Sequence, residues 1–423
     1  MMPLTRKIIK NGVHFISEPI AAAHSAAIGI WFPTGSRDER AGSSGVMHFI
    51  EHMLFKGTDT LSSIDIARYF DRIGGYVNAF TEREMICIYC LVPPQNAEDA
   101  LRILCSMVRR SVFADAEIER ERSVIVSEIL AQCDDPDESG MEKAFSLMYP
   151  DHRISHPITG TVRDIESLAS DTIRENYRLF IQNTSPLITA AGNLCTDRLV
   201  SIIESEFENT DPLLNPDIHP VWKSGVFFEE SRFSQSQIYL SYPINESKTD
   251  TGWYSWAVIN AIIGDMVSSR LFQNLREKRG LCYSVFSFYL FNRDSAFWTA
   301  GVSVPPEKTT ETLSVLLSEI TEIGEKGFSS DEIQEAKSHV SGELLLNADD
   351  TENRMKRLAR QFFYNGTILS VEDSAEMINN INGSDIETAL DSFDDKKKNL
   401  VVYAKQKCLR ECKKYGRSYP FYS

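Results

Sequence analysis

Apolar residues along this chain follow two patterns that alternate. Short apolar runs are typical of buried strands, and longer stretches have apolar residues at helical spacing. Strands are predicted at 28–32, within 77–92 and at 237–242. Helices are predicted at 62–73, 95–110, 115–133, 252–264, 307–326 and 331–349. A hairpin-like start is expected near residues 8–15. Because a similar alternation occurs before and after the midpoint, the pattern indicates a duplicated design.

A stretch rich in turn-forming residues, 209–220, lies near the midpoint of the 423 residues and is typical of a linker. A chain of this length exceeds what one core usually supports, so two domains are expected. We predict a first domain at 1–208, a linker at 209–225 and a second domain at 226–423.

Two helical segments of similar sequence support duplication. The segment 331–343 parallels the helix that contains Glu117 and Glu128, with an offset of 215 residues that sets Glu343 opposite Glu128. Chance similarity of two amphipathic helices is the alternative for so short a match. The second half contains no copy of the histidine motif described below. If the halves arose by duplication, only the first half has kept the metal-binding residues.

Composition is that of an ordinary globular protein, with 42% hydrophobic and 25% charged residues. The net charge of −16 argues against nucleic acid and anionic membranes as partners, and is compatible with basic peptides. We find no signal peptide and no apolar run long enough to cross a bilayer. We therefore expect a cytoplasmic protein from a bacterium. The alternative is a processed form of the protein in the matrix of an organelle.

The eight cysteines do not resemble a disulfide framework in a long chain without a leader. Cys87 and Cys90 have metal-like spacing, but they lie in a strand-like run without a second pair nearby, so we expect core thiols. Cys408 and Cys412 would share one helical face near the end of the chain. We assign no function to either pair.

His48 and His52 are four residues apart, so on a helix their rings lie on one face and can bind one ion. Neutral imidazole suits zinc, and a catalytic zinc site keeps one position open for water. Glu51 lies between them, within reach of that water as a general base but poorly placed to chelate. The alternative is a pair of partly exposed helical histidines with an acidic neighbour.

The histidine segment is expected to be helical. Ser43 or Ser44 is placed to cap the start of this helix, and Gly57 to end it.

A third ligand is expected from the helical segment 115–133, which carries Glu121 and Glu128 on one face. The two glutamates are two turns apart, roughly 10.5 Å along the axis, so only one is expected to bind the ion directly. The other would support the site from outside. Composition does not choose between them. The remaining histidines, His152 and His156 in a loop and others in isolation, are expected to be structural.

The chain resembles the insulinase/pitrilysin family of zinc peptidases, the inverzincins, and within it the short branch that includes mitochondrial processing peptidase and its bacterial relatives. The segment 48–58 matches the signature helix of the family nearly residue for residue. The segment 77–81 matches its substrate-binding edge strand, and 271–284 matches its C-terminal signature. The similarity runs from about Lys10 to about Ala404.

This resemblance assigns roles to particular residues. It implies that Glu128 is the third zinc ligand, one zinc ion being held per chain, and that Glu121 supports the site. It implies that Glu51, Arg276 and Tyr283 act in catalysis, the last two by engaging substrate. The implied substrate-binding residues of the edge strand are Asn78, Ala79, Phe80 and Thr81. The fold it implies is α+β, two similar domains that each have a mostly antiparallel sheet with helices packed on it.

The implied activity is that of a zinc endopeptidase that cleaves short or unfolded peptides in a chamber, with Glu51 activating water on the metal. A chamber would need two chains of this length. We therefore expect a homodimer in which Arg276 and Tyr283 complete the site of the other chain, and a heterodimer with a related subunit remains open. Two other classes remain: a non-catalytic subunit of the same fold, and a structural zinc-binding interaction protein with a closed site.

Overall fold

The computed structural model describes residues 4–9, 12–182, 184–207, 219–245 and 250–418. The chain divides into two compact units. Unit 1 contains Met1–Ala131, His156–Ile218 and Asn347–Ile368, and unit 2 contains Gln132–Ser155, His219–Leu346 and Leu369–Ser423.

Strands and helices alternate in both units. The strands in chain order are β1 (Thr5–Ile8), β2 (His14–Pro19), β3 (Ala26–Phe32), β4 (Tyr76–Thr81), β5 (Ile86–Val92), β6 (Leu187–Gly192), β7 (Gly225–Glu230), β8 (Ser236–Pro243), β9 (Ser284–Phe291), β10 (Ala296–Val304) and β11 (Asn399–Ala404).

The helices in chain order are α1 (Val46–Met53), α2 (Ser63–Ile73), α3 (Ala97–Arg109), α4 (Asp115–Asp134), α5 (Pro136–Met148), α6 (Val162–Ser167), α7 (Ser170–Tyr177), α8 (Thr196–Glu206), α9 (Asp250–Asn260), α10 (Thr309–Lys326), α11 (Ser330–Asn347), α12 (Thr351–Arg360), α13 (Val371–Asn380), α14 (Gly383–Leu390) and α15 (Gln406–Ser418). A π-helical turn, Ala261–Asp265, follows α9, and another spans Phe272–Glu277. None of the described helices is both long and apolar enough to span a bilayer.

The two sheets repeat one topology. Sheet 1 has the order β1-β2-β6-β3-β5-β4 and sheet 2 the order β7-β11-β8-β10-β9. In sheet 1, β2 pairs parallel with β6 and the next three pairings are antiparallel. In sheet 2, β7 pairs parallel with β11 and the next three pairings are again antiparallel. Two mostly antiparallel sheets with helices packed on them confirm the predicted α+β fold.

Most predicted elements lie within a few residues of the observed ones, because their apolar spacing reflects burial on a sheet. The predicted strand at 77–92 is a hairpin of two strands, β4 and β5, and β4 forms an edge of sheet 1. The predicted helix at 252–264 is α9 followed by the π-helical turn. The predicted linker at 209–225 lies mostly outside the described residues, so its structure is not discussed.

The units differ from a simple division of the chain into halves, since each half contributes a segment to the other unit. The segment 132–155 belongs to unit 2, and the segment 347–368, which contains α12, belongs to unit 1. Met355 and Leu358 of α12 are buried on the face of sheet 1 that also carries Trp31 and Cys87. The sequence gives no local signal for this exchange, because an amphipathic helix does not specify which sheet it covers.

Ion pairs attach α12 to β2 in unit 1. The Glu18 carboxylate accepts hydrogen bonds from the guanidinium groups of Arg354 and Arg357, and all three side chains are at least 85% buried. A buried ion pair is costly to break from one side, because the remaining charge is left without its partner.

We expect Glu18→Gln to lower the free energy of unfolding by roughly 3 kcal/mol, since two largely buried guanidinium groups would lose their counter-charge. Denaturant unfolding monitored by tryptophan fluorescence measures the change. The control is Asp197→Asn, which breaks an exposed pair with Lys7 and is expected to cost less than about 1 kcal/mol. Equal effects of the two variants would contradict this role of Glu18.

Candidate metal centre

Helix α1 presents two imidazole rings side by side. His48 and His52 have ring centroids 4.7 Å apart, as expected for residues one helical turn apart. Phe49 and Ile50, on the opposite side of the helix, are fully buried in the core of unit 1. The apolar face of α1 therefore fixes the direction in which the two rings point.

The start of α1 differs from the prediction that Ser43 or Ser44 caps it. The cap residue is Gly45, with φ of +82°, and a Cβ there would lie 2.5 Å from the Thr159 carbonyl oxygen. The buried Glu39 carboxylate accepts hydrogen bonds from the backbone N–H groups of Gly45 and Met47, each at 2.9 Å. A carboxylate suits this position because the helix N-terminus carries partial positive charge.

The end of α1 also differs from the prediction. The helix ends at Met53 with Leu54 as its cap residue, and a turn follows before Gly57, which has φ of +110°. Gly57 is required by that turn, and it does not end the helix itself.

Helix α4 brings the third donor, Glu128, to the two rings. Glu128 Oε1 lies 3.6 Å from His48 Nε2, and Glu128 Oε2 lies 3.4 Å from His52 Nε2. Ile125 and Ile129 of α4 are buried in the same core as the apolar face of α1, which explains the approach. One ligand atom from each of the three residues lies within 4.8 Å of the others.

This donor set fits a zinc ion. Ligand bonds of about 2.0–2.2 Å in a tetrahedral arrangement place donor atoms roughly 3.4 Å apart, close to the distances found here. Among the described residues, the group contains three donors and no cysteine. Three protein donors leave a fourth position for water or substrate, which is typical of catalytic zinc.

Glu121 lies outside the donor group but contacts it. Its Oε2 is 3.1 Å from His52 Nδ1, and its Oε1 is 2.5 Å from Lys56 Nζ. The Glu121 side chain is only 4% exposed, so the ammonium group of Lys56 balances a buried charge. A carboxylate on the second ring nitrogen orients the imidazole and raises its basicity. Lys56 was not identified from the sequence, although it lies four residues after His52 in the matching segment.

Electrostatics around the donors favour binding of a cation. Burial lowers the pKa of His48 to about 4, with His52 acting in the same direction, so this ring is neutral at pH 7. Burial would also lower the pKa of His52, but hydrogen bonds with Glu128 and Glu121 outweigh burial and raise it. The hydrogen bond with His52 lowers the pKa of Glu128 against the effect of burial. A metal ion at this position would displace the proton from His52.

Glu51 lies beside the donors with its own partner. The hydroxyl group of Thr81, at the end of β4, donates a hydrogen bond of 2.5 Å to Glu51 Oε2. Burial raises the pKa of the Glu51 carboxyl group, and the Thr81 hydrogen bond and His52 oppose that shift. A buried carboxylate with a raised pKa is a stronger base than one in water, which suits it to take a proton.

Strand β4 has two functional faces. Val77 and Ala79 pack on the core of unit 1, the face that also carries Thr81. Phe80 packs on the opposite face, where the ammonium group of Lys356 lies 5.4 Å from its ring centroid. The Ala79 backbone N–H donates to the side-chain oxygen of Asn78 at 2.9 Å, so this N–H is paired with a side chain.

Arg276 and Tyr283 lie together in unit 2. The Arg276 guanidinium carbon is 5.2 Å from the Tyr283 ring centroid and 4.7 Å from that of Phe272. Tyr283 is 81% exposed and directly precedes β9. An exposed tyrosine stacked on an arginine offers two hydrogen-bond donors on one surface.

The cysteines of the strand-like run are core residues, as predicted. Cys87 and Cys90 are fully buried on opposite faces of β5, since they belong to the two different cores that cover sheet 1. They cannot bind one ion between them.

His152 accepts a hydrogen bond from the Ile154 backbone N–H, a structural role in a turn. His339 is one of the histidines that are isolated in the sequence, but its ring lies within 4.8 Å of the Asp265 and Glu343 carboxylates.

Comparison with known proteins identifies the family. The profile described as Insulinase (Peptidase family M16) matches residues 14–162, and Peptidase M16 inactive domain matches residues 167–340. "Uncharacterized zinc protease SCO5738" of Streptomyces coelicolor is 31% identical over 391 residues, which cover 90% of this chain and 85% of that protein. The chain belongs to the insulinase family, peptidase family M16.

Two further proteins are similar over most of the chain. "Uncharacterized zinc protease YmxG" of Bacillus subtilis is 30% identical over 390 residues, 91% of this chain and 93% of that protein. The crystal structure of a protease from Helicobacter pylori superimposes with a TM-score of 0.88 at 18% identity, over 95% of this chain and 99% of that one. That structural likeness concerns the fold.

We expect Glu121→Gln to weaken zinc binding by roughly 10- to 100-fold, because the amide loses the charge that orients His52 and pairs with Lys56. Competition with a chromogenic chelator measures the affinity. The matched control is Glu119→Gln on the same helix. The Glu119 side chain is 63% exposed and pairs with Arg122, so the zinc affinity of this variant is expected to be unchanged. A Glu121→Gln protein that binds zinc as tightly as the control would argue against this role.

Proposed function

We propose that this M16 family protein is a zinc-dependent endopeptidase that cleaves short or unfolded peptides. The observation that carries the proposal is the convergence of three donors, His48, His52 and Glu128, beside the half-buried carboxylate of Glu51. The names of its relatives from S. coelicolor and B. subtilis, both zinc proteases, support the same activity.

A zinc ion held by these three residues would lower the pKa of water toward 7 and polarise the scissile carbonyl group. Glu51 takes the proton from the attacking water and returns it to the departing amine. The Thr81 hydroxyl group donates a hydrogen bond to Glu51 Oε2, so Oε1 is the oxygen that accepts and returns the proton. Glu121 keeps His52 in the tautomer that directs Nε2 toward Glu128.

The substrate binds as an added strand along β4 in this proposal. An edge strand has unpaired backbone groups that accept an extended peptide, with backbone hydrogen bonds providing affinity. The Ala79 N–H donates its hydrogen bond to the Asn78 side-chain oxygen. A carbonyl group of the substrate would replace that oxygen as the acceptor. Because Thr81 ends the same strand and contacts Glu51, a peptide on β4 is led toward the proposed catalytic base.

Two alternatives predict different donor sets. A non-catalytic subunit of this fold would lack part of the zinc-binding set or Glu51, whereas all four residues are present and adjacent. A structural zinc protein would close the site with a fourth protein ligand, often cysteine. The donor group of the described residues contains three members and no cysteine, which favours the enzyme.

We expect Glu51→Gln to lower kcat by about 10³-fold while zinc binding by His48, His52 and Glu128 is unchanged, because the amide cannot accept the proton. Cleavage of quenched peptide libraries, followed by mass spectrometry of the products, measures activity and specificity. A chelator should abolish wild-type cleavage and added zinc should restore it. Cleavage that survives both treatments would refute the proposal, and Glu119→Gln serves as the active control.

The proposal includes a homodimer in which each chain completes the site of the other, with a heterodimer of related subunits as the alternative. The pair of Arg276 and Tyr283 supports it. Tyr283 is 81% exposed, and the partly exposed Arg276 beside it also pairs with Glu277 at 3.8 Å, so both side chains are at the surface of unit 2. They would orient the peptide or stabilise the oxyanion. Homodimer formation, processing activity on leader-like peptides and a cytoplasmic location remain predictions.

Mixed dimers test the sharing of sites. We expect Glu51→Gln and Arg276→Ala chains to be inactive alone and to recover roughly a quarter of wild-type activity after random exchange of equal amounts, because about half of the dimers are then mixed and one of the two sites in each mixed dimer has both residues. Subunit exchange followed by a peptidase assay measures the recovery. The Arg279→Ala chain, which alters a nearby basic residue, is the control and should be active alone. No recovery in a verified mixed dimer would contradict shared sites.

A further inference from the structure

The repeated topology gives unit 2 a counterpart of the metal-binding surface of unit 1. In unit 1, β3 leads to α1, and β5 leads through α3 to α4. In unit 2, β8 leads to α9 and its π-helical turn, and β10 leads through α10 to α11. The strands of both sets occupy corresponding places in their sheets. The π-helical turn and α11 therefore correspond to the two helices that supply the donors in unit 1.

Packing brings the two corresponding elements together as it does in unit 1. Ile262 and Ile263 of the π-helical turn are buried in the core of unit 2, and Val340 and Leu344 of α11 pack against that core. His339 and Glu343 immediately precede these two apolar residues and share one helical face. Asp265 ends the turn, where the chain becomes extended at Met266.

Three donors converge at this position. Asp265, His339 and Glu343 each offer one ligand atom, and these atoms lie within 4.8 Å of one another. In unit 1 the first helix supplies two donors and α4 supplies one, whereas here the turn supplies one and α11 supplies two.

The chemistry of the group suits a divalent transition-metal ion. One imidazole and two carboxylates are ligands that Zn²⁺ and Mn²⁺ both accept. The three side chains are exposed, so water would fill the remaining positions and binding would be weaker than in unit 1. Two carboxylates in a chain of net charge −16 provide an attractive potential for a cation.

We infer that Asp265, His339 and Glu343 form a second divalent-metal site, in the half of the chain that lacks the histidine motif. The site takes Zn²⁺ or Mn²⁺ and ties the end of the π-helical turn to the middle of α11. This inference is independent of peptidase activity, since it concerns binding in unit 2 alone.

The test counts metal ions on the full chain. A His48→Ala/His52→Ala double variant removes the donors of unit 1, and it is stripped with a chelator and titrated with Mn²⁺. Electron paramagnetic resonance of free Mn²⁺ gives the bound number, and this hard ion avoids the free thiols. We expect one equivalent in the double variant, and at least a tenfold loss of affinity when His339→Ala is added.

Two further variants make the count decisive. Asp265→Asn keeps the shape of the side chain and should weaken binding as His339→Ala does, with circular dichroism confirming the fold. His24→Ala removes an exposed histidine in the turn before β3 and should leave the equivalent bound. No bound ion in the double variant, or an ion that survives both His339→Ala and Asp265→Asn, would overturn the inference.

Discussion

The approach of the Glu128 carboxylate to the two imidazoles of α1 is the contact on which the rest of the proposed active site depends. His48 and His52 are brought together by helical spacing alone, but Glu128 lies on a different helix and reaches them only because α1 and α4 share one core. Apolar burial, which has no direction of its own, thus fixes polar atoms within a few ångströms. A shift of either helix by one turn would move its donors by about 5.4 Å and separate them from the other helix.

The charged and polar residues around this contact each have a partner. Glu39 satisfies the start of α1, and Lys56 neutralises Glu121, which in turn holds the ring of His52. Thr81 holds Glu51 from the edge strand, so the proposed base and the proposed substrate strand are one structural unit. Buried polar groups without such partners would be costly, so each donor and its support have to be formed together.

The two units show how a duplicated fold can diverge. Five strands of sheet 1 have the same order and pairing directions as the five strands of sheet 2, with β1 as an additional edge strand, yet only α1 carries the histidine motif. The surface that corresponds to it in unit 2 retains a histidine and two carboxylates in a different distribution between elements. A surface formed by two helices on a sheet can thus present donors from either helix, since the core beneath fixes the approach whichever residues face outward.

The sequence by itself determined the types of most elements and the two histidines with Glu51, because helical and strand periodicity are local properties of a short window. It named Glu128 over Glu121 only through a family resemblance, since both glutamates lie on one face of α4. The tertiary structure decided which distant segments meet. It pairs Lys56 with Glu121, Thr81 with Glu51 and Glu18 with α12, and it brings Asp265 within 4.8 Å of His339. It also decided that α12 covers sheet 1 and that Tyr283 is exposed. These features depend on how whole elements pack on one another, and no pattern within a single element records that packing.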